Sequence, residues 1–236
     1  MNTDYLKFCP KLKEIIESGQ SLNQRGETVE IRAVSTLGNI RVIRELLLRE
    51  RFSNTLEIGL AFGGSALTFL STLKETSPKQ FQHTAIDPFQ TKVWGGSSVR
   101  VISEEGFAEN FTLYEDFSAL ALPELLKDRK RFDLIYIDGS HLFEDVFLDF
   151  YYASRLLKQN GIMLFDDCTD RHVQKVIKFI RGNYAQFLSE IDYSVYDDPE
   201  KPLKKKIGNR MGVRQLCGFR KKNEPPRDWN SPLSRF

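Results

Sequence analysis

The chain has 236 residues, of which 41% are hydrophobic and 28% are charged. This length suits one domain with a substantial core, alone or with a small appendage. The formal net charge of +2 is too small for the basic field of a nucleic-acid-binding protein, so we expect no nucleic-acid partner.

The three cysteines, Cys9, Cys168 and Cys217, are odd in number and have no repeating spacing. They predict neither a disulfide framework nor a zinc site, and they favour a reducing compartment. The N-terminus has no apolar stretch of signal-peptide length, and no apolar run approaches the length of a membrane span. We therefore expect a cytoplasmic protein that has no membrane partner.

The first fifty residues are predicted to be mainly helical. The segment DYLKFCPKLKEIIESG ends at Gly19 like a capped helix, and STLGNIRVIRELLLRERF spaces Ile40, Ile43 and Leu47 at helical intervals. The polar segment between them, QSLNQRGETVEIRAV, is predicted to be a loop.

From residue 55, short apolar runs alternate with longer amphipathic segments. The predicted strands are TLEIGLA, QHTAID, FTLYED, FDLIYID and GIMLFDD. The predicted helices between and after them are GGSALTFLSTLKETS, GSSVRVISEEGF, SALALPELLKD, LFEDVFLDFYYASRLLKQN and DRHVQKVIKFIRGNYAQFL. This alternation predicts an α/β fold with a mostly parallel sheet and helices on both faces. Two more strands are predicted in YSVYDD and VRQLCGFRKK, before a Pro-rich tail.

Polar and glycine residues collect at the carboxyl ends of the predicted strands. Ligands of open parallel sheets bind beyond these ends, so the residues there are candidates for a site. In chain order they are Glu57 to Gly64, Asp87, Asp116, Asp138 to His141, and the adjacent pair Asp166 and Asp167. Two adjacent carboxylates repel each other, and strand formation does not require them, so the last pair indicates a function.

The turn LEIGLAFGGSAL lies between a predicted strand and a predicted helix. Its glycines allow a ligand to approach the backbone and leave helix N–H groups free to donate. The pattern is E-x-G-x-x-x-G-G-S and not the dinucleotide pattern GxGxxG, and Glu57 would repel a pyrophosphate but suits a positively charged ligand. Asp87, at the end of the next strand, could take both hydroxyls of a ribose. The alternative is an ordinary βα turn with a glycine for packing.

Four segments together, LEIGLAFGGSALTFL, HTAIDPF, FDLIYIDGSHLFEDVFLDF and GIMLFDD, resemble the S-adenosylmethionine-dependent methyltransferases with the Rossmann-like fold. The nearest resemblance is to small-molecule O-methyltransferases of the catechol and caffeoyl-CoA type and to antibiotic-tailoring relatives. It implies a three-layer Rossmann-like sandwich, whose seven-stranded sheet is mostly parallel with an antiparallel last strand, and additional N-terminal helices. It also implies a helical lid at 1–50, a cofactor-binding methyltransferase domain at 51–222 and a tail at 223–236.

The resemblance implies a set of cofactor-binding residues. The methionine part of S-adenosylmethionine would lie at Glu57 and the backbone from Gly59 to Gly63, with Ser65 at the start of the following helix. Asp87 would bind the ribose. The residues flanking the adenine would be Asp116, Phe117 and Ser118, and the weaker candidates in the lid segment AVSTLGN are Ser35 and Thr36.

The resemblance also implies a metal site and a general base. Metal-dependent members carry one acid after the fourth strand and an acid followed by Asp or Asn after the fifth, which here are Asp138, Asp166 and Asp167. Oxygen ligands of this kind suit Mg²⁺, which would hold substrate oxygens and activate a hydroxyl. His141 occupies the place where relatives carry a Lys or His, so it is the first candidate for the base, and Asp138 is the second. The Asp-Asp pair and the segment IDGSH fit the antibiotic-tailoring relatives better than the catechol type.

Structural alternatives remain open for each of these residues. Asp167 or Asp170 would serve as the cap of the following helix. Asp138 with Gly139 would form an ordinary strand-end turn, and His141 would be an exposed residue at the start of a helix.

The function predicted from the sequence is methyl transfer from S-adenosylmethionine to a hydroxyl of a small molecule, assisted by Mg²⁺. Two other enzyme classes are disfavoured by the sequence. A nicotinamide-dependent dehydrogenase would require GxGxxG, which the turn lacks. An amino-directed nucleic-acid methyltransferase would end the fourth strand with an Asn/Asp-Pro-Pro-aromatic segment, whereas here this strand ends in IDGSH. A silent protein that binds S-adenosylmethionine is a further alternative, because a fold does not guarantee activity. A homo-oligomer is compatible with the sequence.

Overall fold

The computed structural model describes residues 3–32, 35–192, 215–224 and 227–235. The chain divides into two compact units, Met1–Phe117 and Ser118–Phe236. No helix in these ranges is long and apolar enough to cross a membrane. The lid, domain and tail boundaries given above stay predictions.

The first unit begins with helices and a hairpin. A 3₁₀ helix at Asp4–Phe8 precedes α1 (Pro10–Ser18), β1 (Gln20–Leu22), β2 (Thr28–Glu30) and α2 (Leu37–Glu50). The remaining elements are β3 (Asn54–Ile58), α3 (Gly64–Thr76), β4 (Gln82–Ile86), α4 (Ser97–Glu104), a 3₁₀ turn at Ala108–Asn110 and β5 (Phe111–Tyr114).

The second unit has the elements α5 (Ser118–Lys127), β6 (Phe132–Ile137), α6 (Phe143–Leu156), β7 (Leu157–Phe165), α7 (Arg171–Asn183), β8 (Leu188–Glu190) and β9 (Cys217–Lys221). The strand order in the sheet is β5-β4-β3-β6-β7-β9-β8. β3, β4 and β5 pair in parallel, as do β6 and β7, whereas β9 is antiparallel to both β7 and β8. The predicted seven-stranded, mostly parallel sheet with an antiparallel last strand is therefore confirmed.

Three details of the sequence prediction are wrong. The predicted loop after Gly19 contains the antiparallel hairpin of β1 and β2, whose turn is closed by Asn23 Oδ1, which accepts the N–H groups of Arg25 and Glu27 at 2.9 Å each. The helix predicted to run to Asn160 ends at Leu156, where β7 begins. Residues near 188, assigned to the end of a helix, form β8. The predicted strand YSVYDD lies outside the described residues.

Asp149 is a buried carboxyl group in the apolar interface of α5 and α6. It is 1% exposed, its carboxyl group hydrogen-bonds with the side chain of Ser118, and its Oδ1 has no hydrogen-bond partner among the described residues. Burial raises the pKa of Asp149 from 3.8 to about 7, and the Ser118 contact offsets only part of this effect. The folded protein therefore prefers the protonated form of Asp149.

This raised pKa predicts a loss of stability as the pH increases. The unfolded chain releases the Asp149 proton near the ordinary pKa of 3.8, whereas the folded chain keeps it up to about pH 7. Stability from this group is therefore full below pH 4 and falls by up to about 1.4 kcal/mol per pH unit until about pH 7. Asp149→Asn removes the titration but keeps the shape, so urea unfolding should show it gaining on the wild type between pH 5 and pH 7.5. An equal stability difference at both pH values would contradict the assignment.

Candidate functional site

The turn between β3 and α3 has a backbone that only a few residue types adopt readily. Gly59 and Gly63 have φ angles of 91° and 78°, and Ala61 between them has φ 43°. A Cβ atom added to Gly63 would lie 2.9 Å from the Cβ of Ser98, which is closer than real Cβ contacts. Gly63 is thus required both by its backbone angle and by the close approach of α4.

Asp87 holds this turn in place from the end of β4. Its Oδ2 accepts the backbone N–H groups of Leu60 at 3.1 Å and Ala61 at 2.8 Å, and its Oδ1 accepts that of Phe89 at 2.8 Å. The carboxylate is only 4% exposed. The predicted ribose-binding residue is therefore also the anchor of the predicted cofactor turn.

Gln90 and Ser98 complete the network around Asp87. The Gln90 amide donates to Asp87 Oδ2 at 3.0 Å and to the Ala61 carbonyl at 2.9 Å, and the Ser98 hydroxyl donates to Gln90 Oε1. Sequence reasoning missed both residues. In the sequence, Gln90 and Ser98 look like ordinary polar residues, and only the structure shows that both are buried.

Glu57 lies in β3 immediately before the turn, and its side chain is fully buried. Its Oε1 is 3.2 Å from Nε2 of His83 on β4, a distance typical of an ion pair. The contact does not meet the angular requirements of a hydrogen bond, and no other described residue donates to either Glu57 oxygen. We regard the contact as an electrostatic pair, because both groups are enclosed and the distance is short. The predicted role of Glu57 at the methionine end of the cofactor stays a prediction.

The predicted adenine-flanking residues lie in different settings. Phe117 is 57% exposed and packs edge-on against Phe89, with ring centroids 5.9 Å apart. Asp116 is exposed, and its Oδ1 accepts the Phe117 N–H at 2.7 Å. Ser118 begins α5 in the second unit. An exposed aromatic pair of this kind offers a flat face to a planar ring.

The other predicted cofactor residues are at helix starts. Ser65 is buried in the first turn of α3. Thr36 caps α2, because its side chain accepts the Asn39 N–H at 3.2 Å, whereas Ser35 lies in the preceding loop. Thr36 thus has a structural role that does not depend on a ligand, and its cofactor role stays a prediction.

The second unit brings together the three acids that were predicted to bind a metal. Asp138, Asp166 and Asp167 each offer a carboxylate oxygen, and these oxygens all lie within 4.8 Å of one another. Asp138 follows β6, and the other two follow β7, which pairs with β6 in parallel. The register of the two strands therefore produces the cluster.

Donors from three other residues surround the cluster. The buried Tyr136 hydroxyl donates to Asp166 Oδ2 at 2.7 Å. The Gln215 amide nitrogen lies between the neighbouring acids and donates to Asp166 Oδ1 at 3.0 Å and to Asp167 Oδ1 at 2.5 Å. The third donor, His141, has its Nε2 2.8 Å from Asp167 Oδ2.

Asp167 is held in an unusual backbone conformation. Its φ is 49°, in the left-handed region, which Asp tolerates better than most residues but which still costs energy. Strain of this kind is concentrated at functional sites. The alternative that Asp167 is a helix cap is wrong, because Asp170 caps α7 and accepts the His172 N–H at 2.7 Å.

His141 is positioned as a base would require. It is 53% exposed at the side chain, and its ring lines a pocket together with Asp138, Gly139 and the two acids after β7. The Asp167 carboxylate, next to Nε2, favours the tautomer that carries the proton there, which leaves Nδ1 as an acceptor. The structure thus brings His141 to the acids, as predicted, but its catalytic role stays a prediction.

Comparisons with known proteins agree with this fold. Residues 56–168 match the model of a family described as "Methyltransferase domain". No curated protein is significantly similar in sequence to this chain.

Solved structures with a similar fold share little sequence with it. An O-methyltransferase from Bacillus cereus in complex with SAH is 11% identical, with a TM-score of 0.62, over 94% of this chain and 93% of that one. The O-methyltransferase TomG from Streptomyces achromogenes, involved in tomaymycin synthesis and in complex with SAM, is 14% identical, with a TM-score of 0.57, over 94% and 92%. The SAH-bound methyltransferase PaMTH1 from Podospora anserina is 18% identical, with a TM-score of 0.57, over 80% of each chain.

The matched segment runs from within β3 to the turn after β7 and carries most of the candidate residues. Over this segment the chain is similar to the family described as "Methyltransferase domain", and its fold is that of the compared methyltransferases. The resemblance inferred from the sequence is therefore confirmed.

The close contact at Gly63 predicts the effect of adding a methyl group there. Gly63→Ala combines a positive φ with a Cβ contact of 2.9 Å, so it should lower the free energy of unfolding by about 2–4 kcal/mol. Gly106→Ala is the matched control, because Gly106 has φ 76° but no atom within 4 Å of the added Cβ. Chemical denaturation should show a clearly larger loss for Gly63→Ala. Equal losses would show that the turn is not packed tightly against α4.

Proposed function

We propose that the protein transfers the methyl group of S-adenosylmethionine to a hydroxyl oxygen of a small molecule, with a divalent cation at Asp138, Asp166 and Asp167. The observation that carries the proposal is the position of the acids. In each unit they lie at the carboxyl ends of two paired parallel strands: Glu57 near the end of β3 and Asp87 after β4 in the first, and the acids after β6 and β7 in the second.

The first unit supports the cofactor part of the proposal. Three features of this unit suit the three parts of S-adenosylmethionine. The β3–α3 turn, which Asp87 holds in place, suits the methionine part, and the Asp87 carboxylate suits the ribose. The exposed aromatic pair of Phe89 and Phe117 suits the adenine. Asp87 Oδ1 accepts one hydrogen bond from the described residues, from Phe89, so it has remaining capacity for a hydroxyl donor. Two of the compared structures contain SAH and a third contains SAM.

The second unit supports the metal part of the proposal. Carboxylate oxygens are the ligands that Mg²⁺ prefers, and three of them close together repel one another unless cations or N–H and O–H donors compensate them. The Gln215 amide nitrogen meets two of them at once, which shows that Asp166 and Asp167 direct lone pairs to a common point. When bound, a divalent cation would polarise the substrate hydroxyl.

His141 would act as the general base in the methyl transfer. When bound at the β3–α3 turn and Asp87, S-adenosylmethionine would supply the methyl group to the substrate oxygen and would leave as S-adenosylhomocysteine. The hydroxyl proton passes to Nδ1 of His141, and Asp167 stabilises the resulting imidazolium through Nε2, which lies 2.8 Å from its carboxylate. Tyr136 would fix Asp166 during this step.

The substrate proposed is a small hydroxylated molecule, because two adjacent oxygens would suit a cation held by the cluster. The proteins of similar fold include TomG, which is involved in tomaymycin synthesis, and the calicheamicin methyltransferase CalS11. This similarity supports a small-molecule acceptor.

A direct activity assay tests the proposal. The purified protein, incubated with S-adenosylmethionine, Mg²⁺ and a panel of catechols and other vicinal diols, is expected to release S-adenosylhomocysteine with at least one of them. Excess EDTA should abolish the signal, and added Mg²⁺ should restore it. Full activity in EDTA would contradict the metal assignment, and failure to bind S-adenosylhomocysteine at millimolar concentration would contradict the whole proposal.

Cation binding can be measured without a substrate. Mn²⁺, followed by electron paramagnetic resonance, should bind to the wild type, and Asp166→Asn should weaken it by about ten- to hundredfold because it removes a charged ligand. Asp170→Asn is the control, because Asp170 lies in the same segment but caps α7 and does not join the cluster. Equal binding to the wild type and Asp166→Asn would place the cation elsewhere.

A further inference from the structure

Three buried polar side chains form a chain of contacts behind the cofactor turn in the first unit. Thr55 Oγ1 and His83 Nδ1 are 2.8 Å apart, and Nε2 of the same ring faces Glu57 Oε1 at 3.2 Å. All three residues have 0% exposure. Their alignment follows from the sheet, because Thr55 is paired with His83 in the register of β3 and β4, and Glu57 is two residues further along the same face.

The His83 ring is fixed by its neighbours. It stacks on Phe69 of α3 with ring centroids 4.7 Å apart and an interplanar angle of 16°, and Phe111 of β5 lies on its other side along the sheet at 6.1 Å. Rotation of the ring would break both the stacking and the Thr55 contact. Nε2 therefore stays directed at Glu57.

Glu57 is a buried carboxylate whose hydrogen-bonding capacity is not filled by the described residues. An enclosed carboxylate becomes protonated unless donors or positive charge stabilise it, because burial strongly disfavours the charged form. Nε2 of His83 lies 3.2 Å from Glu57 Oε1, close enough to stabilise the charge electrostatically. The carboxylate immediately precedes the turn at Gly59 to Gly64, so a positive group bound at that turn would gain from its charge.

We infer that Thr55 and His83 are positioning residues that keep Glu57 charged for the ammonium group of S-adenosylmethionine. The Glu57 carboxylate can only accept, so it favours the tautomer with the ring proton on Nε2, and this N–H stabilises the carboxylate electrostatically. Nδ1 is then an acceptor for the Thr55 hydroxyl, 2.8 Å away, which holds the ring in place. This inference rests on the proposed cofactor.

A pair of ligands separates this role from a merely structural one. S-adenosylhomocysteine carries the ammonium group, whereas 5′-methylthioadenosine shares the adenosine and sulfur but has no ammonium. Loss of the Glu57 charge should weaken only the first ligand. General damage to the turn should weaken both.

The test is calorimetric titration of both ligands into the full-length protein and its variants. His83→Phe keeps a ring on Phe69 but removes the donor, so it should weaken S-adenosylhomocysteine by about ten- to hundredfold and leave methylthioadenosine within about twofold. His83→Gln supplies an amide donor and should restore most of the affinity. Glu57→Gln should produce the same selective loss, and His83→Phe should add little to it, because the two residues act as one unit.

Thr55 provides a second and milder pair of variants if His83→Phe does not fold. Thr55→Val has the same shape without the hydroxyl and should reduce the preference for S-adenosylhomocysteine, whereas Thr55→Ser keeps the hydroxyl and should preserve it. Equal weakening of both ligands in these variants, or no weakening of either, would overturn the inference. If the wild-type protein binds neither ligand, the proposed function itself fails, which is a distinct outcome.

Discussion

Carboxylates that lie close together at the ends of parallel strands repel one another unless donors or cations compensate their charge, and the candidate sites of this protein are built around that constraint. Asp87 is compensated by three backbone N–H groups and the Gln90 amide, and Asp166 with Asp167 by Tyr136, Gln215 and His141. Glu57 differs from these acids, because none of the described residues hydrogen-bonds to its side chain and His83 Nε2 lies 3.2 Å from its Oε1. The negative charge of these carboxylates that the donors do not compensate makes a sulfonium, an ammonium or a divalent cation a suitable ligand.

The same donors also shape the backbone. Asp87 accepts N–H groups from Leu60 and Ala61, so the cofactor turn keeps its positive φ angles through the acid that follows the neighbouring strand. Asp167 adopts φ 49° while His141 and Gln215 contact its two oxygens. In both places the backbone conformation and the hydrogen bonds of the carboxylate occur together, so a change to one is expected to disturb the other.

The sequence was sufficient to predict the sheet and the acids, because both depend on local patterns. Apolar runs of strand length mark β3 to β7, and an acid directly after such a run is expected at the carboxyl end of the sheet. The grouping of Asp138, Asp166 and Asp167 as one metal site came from the family resemblance, and the structure brings their oxygens within 4.8 Å of one another. The hairpin of β1 and β2 was missed because its strands have three residues each, too few for a period to be visible. The end of α6 was missed because the apolar pattern continues directly into β7.

The partners of the acids could not be predicted in the same way. Gln215 is 49 positions away from Asp166 in the chain and precedes an antiparallel strand, so no spacing rule connects them. His83 looks like an ordinary strand residue in QHTAID, and its importance depends on the register that places it opposite Thr55. These contacts depend on the tertiary structure, whereas the positions of the acids at strand ends can be recognised from the local sequence.

We propose that the acids at the strand ends receive cationic ligands. The decisive measurement is a crystal structure obtained with Mn²⁺ and S-adenosylhomocysteine, with anomalous scattering recorded at the manganese edge. We expect an anomalous peak within about 2.3 Å of oxygens of Asp138, Asp166 and Asp167, the Gln215 amide displaced from between the last two, and the ligand's ribose at Asp87. An ordered protein with no peak at the cluster and no ligand at the β3–α3 turn would contradict it.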